Sequence, residues 1–168
     1  MIRADDLVVT GQGARFMGRH FACAIGRGGI TGDKREGDGA TPAGAHRVTG
    51  LLYRPERIAR HRLPPCARPI RPGDLWCDDP QSPRYNLLTS APLTASHERM
   101  RRADPLYDIV LTTSWNWPHA RPGLGSAIFI HVWRAPRHPT AGCVAFERTD
   151  LLWIVNRLAP DSRLIVRG

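Results

Sequence analysis

The sequence contains almost no lysine: Lys34 is the only one among 24 lysine and arginine residues, set against 15 acidic residues. The formal net charge of +9 would suit an anionic partner. The arginines are scattered along the whole chain, however, and no zinc-finger spacing, helix-turn-helix pattern or aromatic RNA-binding signature accompanies them. We therefore expect no nucleic-acid partner. Arginine-rich composition is the simpler explanation of the charge, and attraction to an acidic polymer is the alternative.

Long apolar runs are also missing. No segment approaches the roughly 20 apolar residues that span a bilayer, so we expect no membrane span. The N-terminal segment lacks the apolar stretch of a secretory signal, which predicts a cytoplasmic protein as the chain is given, or a periplasmic one if a signal has been removed. The 168 residues, with 42% hydrophobic content, predict a single globular domain over 1–168. The sequence leaves the oligomeric state undetermined.

Cysteine is scarce, and none of the four cysteines forms a CxxC pair. This argues against zinc ribbons and thioredoxin-like redox sites. Cys23 lies among apolar residues, which predicts a buried thiol. Cys66 and Cys77 would be able to pair in an oxidising compartment, and the sequence leaves that open. Only Cys143 lies in a setting that predicts chemistry.

Apolar and β-branched runs predict a mainly β domain. We expect strands at residues 7–10, 19–25, 45–53, 107–114, 126–133 and 163–166, and a tight turn with a short strand over 140–146. One helix is predicted after Cys143, over 148–158, with Thr149 as its N-cap. Residues 54–96 are rich in proline and arginine and predict a long irregular excursion, which we expect to act as a lid over a cleft.

Residues 128–146 combine a histidine on a predicted strand with a cysteine in a turn of small residues. A thiol with a pKa of about 8.5 needs a base to become a nucleophile. An imidazole within hydrogen-bond reach takes that proton and later gives it to the leaving amine. His131 and Cys143 are therefore predicted to form an acyl-transfer pair, with a thiolate forming near neutral pH.

Two alternatives stay open at this point. A cysteine before an apolar run is commonly a packed core residue, and a strand histidine is commonly a hydrogen-bonded scaffold residue. His138 is a rival base, although its proline-flanked loop predicts an exposed position.

The pattern resembles the signature of the L,D-transpeptidase (YkuD-like) catalytic domain, in which a strand histidine is followed by Ser/Thr-x-Gly-Cys and an apolar residue. The matching positions are His131, Thr140, Ala141, Gly142, Cys143 and Val144. An upstream Thr-Pro-x-Gly turn at 41–44 agrees. The resemblance extends over about residues 5–167. It is closest to a subgroup with a long Pro/Arg-rich insertion, a Trp-Cys-Asp-Asp segment (76–79) and a Ser-His-Glu-Arg segment (96–99).

This resemblance implies a β-sandwich-like catalytic domain that acts on peptidoglycan stem peptides or muropeptides without a metal or an organic cofactor. Cys143 would be the nucleophile and His131 its base, held by a backbone carbonyl. The amides of Gly142 and Cys143 would bind the oxyanion. Thr140 and Val144 would contact the substrate. The acyl group of the third stem residue would pass to the thiol with loss of D-alanine, and then to an amine or to water.

Three positions depart from the family pattern, and two further residues are candidates. Many members carry histidine at Ala141, arginine at Ala145 and glycine at Val132, and the missing arginine removes an anchor for a substrate carboxylate. His97 and Asn116 are predicted to reach the substrate, with a surface position for His97 and a purely core role around Asn116 as alternatives. Rival functions are a cytoplasmic L,D-carboxypeptidase and a non-catalytic basic binding module.

Overall fold

A computed structural model describes the whole chain, residues 1–168. It contains fifteen short strands, one α-helix and one 3-10 turn at Arg60–Arg62. The strands are β1 (Leu7–Thr10), β2 (Gly13–Phe16), β3 (Arg19–Phe21), β4 (Cys23–Ala24), β5 (Ile30–Thr31), β6 (Thr41–Pro42), β7 (Gly44–Tyr53), β8 (Arg68–Pro69), β9 (Asp74–Cys77), β10 (Leu88–Ser90), β11 (His97–Arg99), β12 (Ile109–Thr113), β13 (Phe129–Val132), β14 (Val144–Phe146) and β15 (Arg163–Val166). The helix is α1 (Arg148–Val155). The mainly β prediction, with one helix after Cys143, is confirmed.

Ten strands form one mixed sheet in the order β3-β2-β1-β15-β7-β12-β13-β14-β4, with β8 paired to β7. The two edge strands, β3 and β4, are separated in sequence by a single residue, so the sheet must curl until its edges approach each other. The first and last strands, β1 and β15, pair in parallel near its centre. The chain ends therefore belong to the same layer as the strands that carry the predicted catalytic residues.

The curled sheet encloses the larger of two hydrophobic cores. Phe16, Phe146, Leu151 and Ile154 are fully buried there, which places α1 against the sheet. The helix is three residues shorter than predicted, and Glu147 rather than Thr149 is its N-cap. The Glu147 carboxylate accepts hydrogen bonds from the first-turn amides, an interaction that the helix dipole also favours.

The predicted excursion at 54–96 is not irregular throughout. It contributes β9 and β10 to a separate three-stranded sheet with β11, in the order β10-β9-β11. This sheet buries Trp76 against Phe129 of the main sheet, with the ring centroids 4.8 Å apart in an edge-to-face arrangement. Ile70 and Met100 complete this second core. The insertion is thus an ordered layer that packs on the face of β13 that bears His131.

The sequence pattern missed the smaller strands. The glycine turn after β1 leads into β2, which was not predicted, and the single strand expected at 19–25 is two strands on opposite edges of the sheet. The other six predicted strands lie within the predicted bounds or within one residue of them, and they are β1, β7, β12, β13, β14 and β15. None of the helices has the length and apolar character needed to cross a bilayer.

Candidate active site

The predicted pair comes from two neighbouring strands. β13 and β14 run parallel, and their register aligns His131 with Ala145. Cys143 immediately precedes β14 and shares a face with Ala145, because side chains two residues apart on a strand point the same way. Cys143 and His131 therefore lie on one face of the β13–β14 pair, about 7 Å apart along the strand direction. Both side chains line the same cavity, of about 640 Å³.

His131 is held as a neutral base. Its ring is buried, and Nδ1 lies 2.8 Å from the carbonyl oxygen of Val132. Since a carbonyl only accepts, Nδ1 carries the proton and Nε2 keeps its lone pair. The Tyr107 ring packs edge-on against the imidazole at 5.5 Å. Burial lowers the pKa of His131 to about 4, despite the opposing effect of the Val132 hydrogen bond.

Cys143 is a neutral thiol in the free protein. Its Sγ donates to the carbonyl of Ala127 at 3.1 Å and accepts from the amide of Phe129 at 3.3 Å. Burial raises the pKa of the thiol to about 12, which outweighs the Phe129 amide; the charge of Glu98 raises it further. Burial thus disfavours the thiolate that the sequence predicts near neutral pH, and the charge of Lys34 offsets this effect only in part.

A tight turn places the cysteine at the end of the cavity. The Thr140 hydroxyl donates to the carbonyl of Cys143 at 2.6 Å and accepts from the amide of Gly142 at 3.1 Å. Gly142 has a φ of 141°, and a Cβ there would lie 3.0 Å from the Ala40 carbonyl. Because Gly142 already donates to Thr140, its amide is not available as an oxyanion donor, whereas the amide of Cys143 has no acceptor within the protein.

The upstream Thr-Pro-x-Gly turn supports the same geometry. Thr41 is fully buried, and its hydroxyl accepts from the amide of Gly26 at 2.8 Å. The neighbouring residue, Ala40, is the one that presses its carbonyl against Gly142. The two sequence elements that carry the resemblance are thus packed against each other.

Three predicted substrate residues lie outside the cavity. Val144 is fully buried in the main core, because it alternates with Cys143 and points to the opposite face. His97 alternates with its neighbours Ser96 and Glu98, which do line the cavity, and its Nδ1 bonds to the Ala95 carbonyl at 2.7 Å. Asn116 hydrogen-bonds to Arg121 and Gly125, and holds its own loop together. Thr140 does line the cavity, and so does His138, at its exposed rim.

Asn86 was not predicted, although it connects the insertion to the site. Its Oδ1 accepts from the Trp76 indole and from the amide of Ala127, both at 3.0 Å. Ala127 has a positive φ of 52°, unusual for a residue with a side chain, and its carbonyl receives the Cys143 thiol. Asn86 lies in no recognisable local motif, so nothing in the sequence pattern pointed to it.

Charged groups from three segments surround the cavity. Asp78 follows β9 and Glu98 lies in β11, so both belong to the three-stranded sheet β10-β9-β11, called the insertion sheet below. The Tyr107 hydroxyl donates to the Glu98 carboxylate at 2.5 Å. Arg27 and Arg134 are exposed at the opening and form no ion pair within the protein. The wall formed by β9 and β11 therefore carries two carboxylates, while the buried Lys34 and the half-buried Arg102 also line the cavity and exposed arginines lie at its rim. The two segments singled out in the sequence, 76–79 and 96–99, supply these two carboxylates.

A cysteine and a neutral histidine on one face of a shared cavity are the two groups that cysteine-based enzymes use for acyl transfer. The model of the YkuD family, the L,D-transpeptidase catalytic domain, matches residues 4–166. The chain therefore belongs to the L,D-transpeptidase catalytic domain family, whose members are cysteine-based enzymes that modify peptidoglycan. A search of curated proteins and a search of solved structures found no match.

Proposed function

We propose that this protein is an L,D-transpeptidase, with Cys143 as its nucleophile and His131 as its general base. The observation that supports this most directly is the shared face and shared cavity of the two side chains. The family acts on peptidoglycan peptides, and we assign the L,D bond after the third stem residue as the bond attacked.

Proton transfer accompanies the attack. In the free enzyme no hydrogen bond joins the thiol to the imidazole, since the thiol donates to the carbonyl of Ala127. Substrate binding would turn Sγ toward Nε2 of His131, which takes the proton as the S–C bond forms. The oxyanion then accepts a hydrogen bond from the amide of Cys143. His131 returns the proton to the departing D-alanine nitrogen as the C–N bond breaks.

Substrate carboxylates would bind at the rim. The position that carries arginine in many family members is Ala145 here, which is fully buried and next to His131 in register. An anchor at that position is therefore replaced, in our proposal, by Arg27 and Arg134 at the opening. Both guanidinium groups are free of internal ion pairs and match carboxylate geometry.

Mass spectrometry of disaccharide-tetrapeptide incubated with wild type and with Cys143→Ala tests the proposal. We expect wild type to release D-alanine and to form a dimer joined through the third residues, and Cys143→Ala to do neither. Release of D-alanine without a dimer would instead identify the carboxypeptidase. An unchanged tetrapeptide with wild type would contradict the proposal and favour the binding module.

A further inference from the structure

The insertion sheet places two carboxylates on one wall of the cavity. In the β9–β11 pair Glu98 lies opposite Trp76, and the amide of Asp78 donates to the carbonyl of Ser96 at 3.1 Å, which extends the ladder by one pair. Asp78 and Glu98 are therefore diagonal neighbours on the same face, with Cβ atoms within about 8 Å of each other. Both line the cavity that contains Cys143.

This acidic wall, Asp78 and Glu98, lacks a cation of its own. Asp78 Oδ1 is buried and has no hydrogen-bond partner. The Lys34 ammonium is bound 2.6 Å from Asp38, and the Arg102 guanidinium is bound 2.7 Å from Asp104. A buried carboxylate oxygen without a donor is costly, so a donor placed against Asp78 Oδ1 would be stabilising there.

We propose that Asp78 and Glu98 bind the primary amine that accepts the acyl group from Cys143. This rests on the proposed function and assigns the residues that hold the amine acceptor within it. An ammonium group has three donors and no acceptor, which suits two carboxylates and excludes a competing substrate carboxylate. Glu98 also faces the reacting sulfur closely enough for its charge to act on the thiol. Its partner Tyr107 packs on His131.

The chemistry balances without a further reactant. The bound ammonium gives one proton to a wall carboxylate and becomes a free amine. Its nitrogen attacks the thioester carbonyl, so that a C–N bond forms as the C–S bond breaks. The second proton leaves the nitrogen through His131 and ends on the sulfur of Cys143, which regenerates the thiol. Asp78 and Glu98 thus favour an amine over water as the acceptor.

Binding to Cys143→Ala protein tests the acidic wall without turnover. The probes are the disaccharide-tetrapeptide with a free side-chain amine on its third residue and the same compound with that amine acetylated. We expect the free amine to bind about tenfold tighter, and Asp78→Asn or Glu98→Gln to remove most of that preference. Asp79→Asn is the matched control, since Asp79 caps the amide of Gln81 and does not line the cavity. Equal binding of the two probes, or an equal loss in Asp79→Asn, would overturn the proposal.

Turnover supplies a second measurement that separates this inference from the proposed function. With the active enzyme, Asp78→Asn should lower the ratio of cross-linked to hydrolysed product about tenfold. Its thermal stability should stay the same or rise, because an unpaired buried charge is removed. An acyl-enzyme with an unchanged product ratio would refute the acidic wall alone. Absence of any acyl-enzyme in wild type would refute the proposed function. In that case the preference for the free amine in the binding experiment would still show whether Asp78 and Glu98 bind an amine.

Discussion

Burial acts on the two central side chains in opposite directions. It lowers the pKa of His131 to about 4 and raises that of Cys143 to about 12, so both are neutral at pH 7. The two side chains therefore form an uncharged pair at pH 7. In the proposed mechanism the proton passes from Sγ to Nε2 only as the S–C bond forms, so the thiolate need not exist beforehand.

The pH profile of kcat/KM should show this directly. The base must be unprotonated, so activity is lost as the pH falls through the pKa of His131. We expect an acid limb near pH 4, with a plateau through neutral pH, in place of a limb near the ordinary histidine value of about 6.5. Initial rates in a range where circular dichroism shows the protein folded would measure it. Loss of turnover in His138→Ala, with turnover retained in His131→Ala, would identify His138 as the base instead.

Gly142 is a position where only glycine fits. At a φ of 141°, an added Cβ would lie 3.0 Å from the Ala40 carbonyl and 3.1 Å from Cδ1 of Ile128. Gly142→Ala should therefore cost about 2 kcal/mol and displace the thiol, with near-complete loss of turnover. Gly11→Ala is the control, since a Cβ there meets nothing within 4 Å. Thermal melts and turnover of the two variants measure both effects, and an active, stable Gly142→Ala would contradict this account.

At the level of elements, the insertion stabilises the site through one side chain. Asn86→Gly removes the bonds to Trp76 and Ala127 while permitting the observed φ of 58°. We expect a loss of about 3 kcal/mol in unfolding free energy and a lower kcat, because two buried donors lose their acceptor and the carbonyl of Ala127 is released.

Asn116→Gly is a matched control for this change. Asn116 also has a positive φ, and its side chain bonds only within its own loop, so its replacement should lower stability but leave kcat unaltered. Urea unfolding and steady-state kinetics measure the change in stability and in kcat for both variants. An equal loss of kcat in the two variants would argue against a special role for Asn86 and would return Asn116 to the substrate site.

The sequence predicted those elements whose burial is complete or strictly alternating. β7, β12 and β15 are long or apolar enough to be recognised, and β13 shows the alternation that places His131. β9 to β11 were not predicted, because their paired residues lie 12 to 24 positions apart in the sequence and are joined by proline-rich turns. A local periodicity of apolar residues does not report such pairings. The same limit hid Asn86 and led to the selection of His97 in place of its neighbour Glu98.

For the whole molecule, the sheet ties both chain ends to the site layer. β1 pairs with β15, β15 with β7, and β7 with β12, which carries the site strand β13. The side chain of Asp6, just before β1, is fully buried and makes two bonds to the Arg163 guanidinium of β15, at 3.0 and 2.6 Å. The Asp6–Arg163 ion pair thus connects the residue just before β1 to β15.

This ion pair should make stability depend on pH in a defined direction. The Arg163 hydrogen bond holds the pKa of Asp6 well below its usual range. The stabilisation is therefore complete above the unfolded pKa of about 3.9 and is lost as the pH falls toward the lower folded value. Asp6→Asn should cost about 2 kcal/mol at pH 7, and this difference should narrow at pH 3. Asp33→Asn, at an exposed pair with Arg35, should cost almost nothing at either pH. Urea unfolding at both pH values measures the loss of unfolding free energy in each variant. A loss for Asp6→Asn that does not change with pH would mean that the charge of Asp6 contributes nothing to stability.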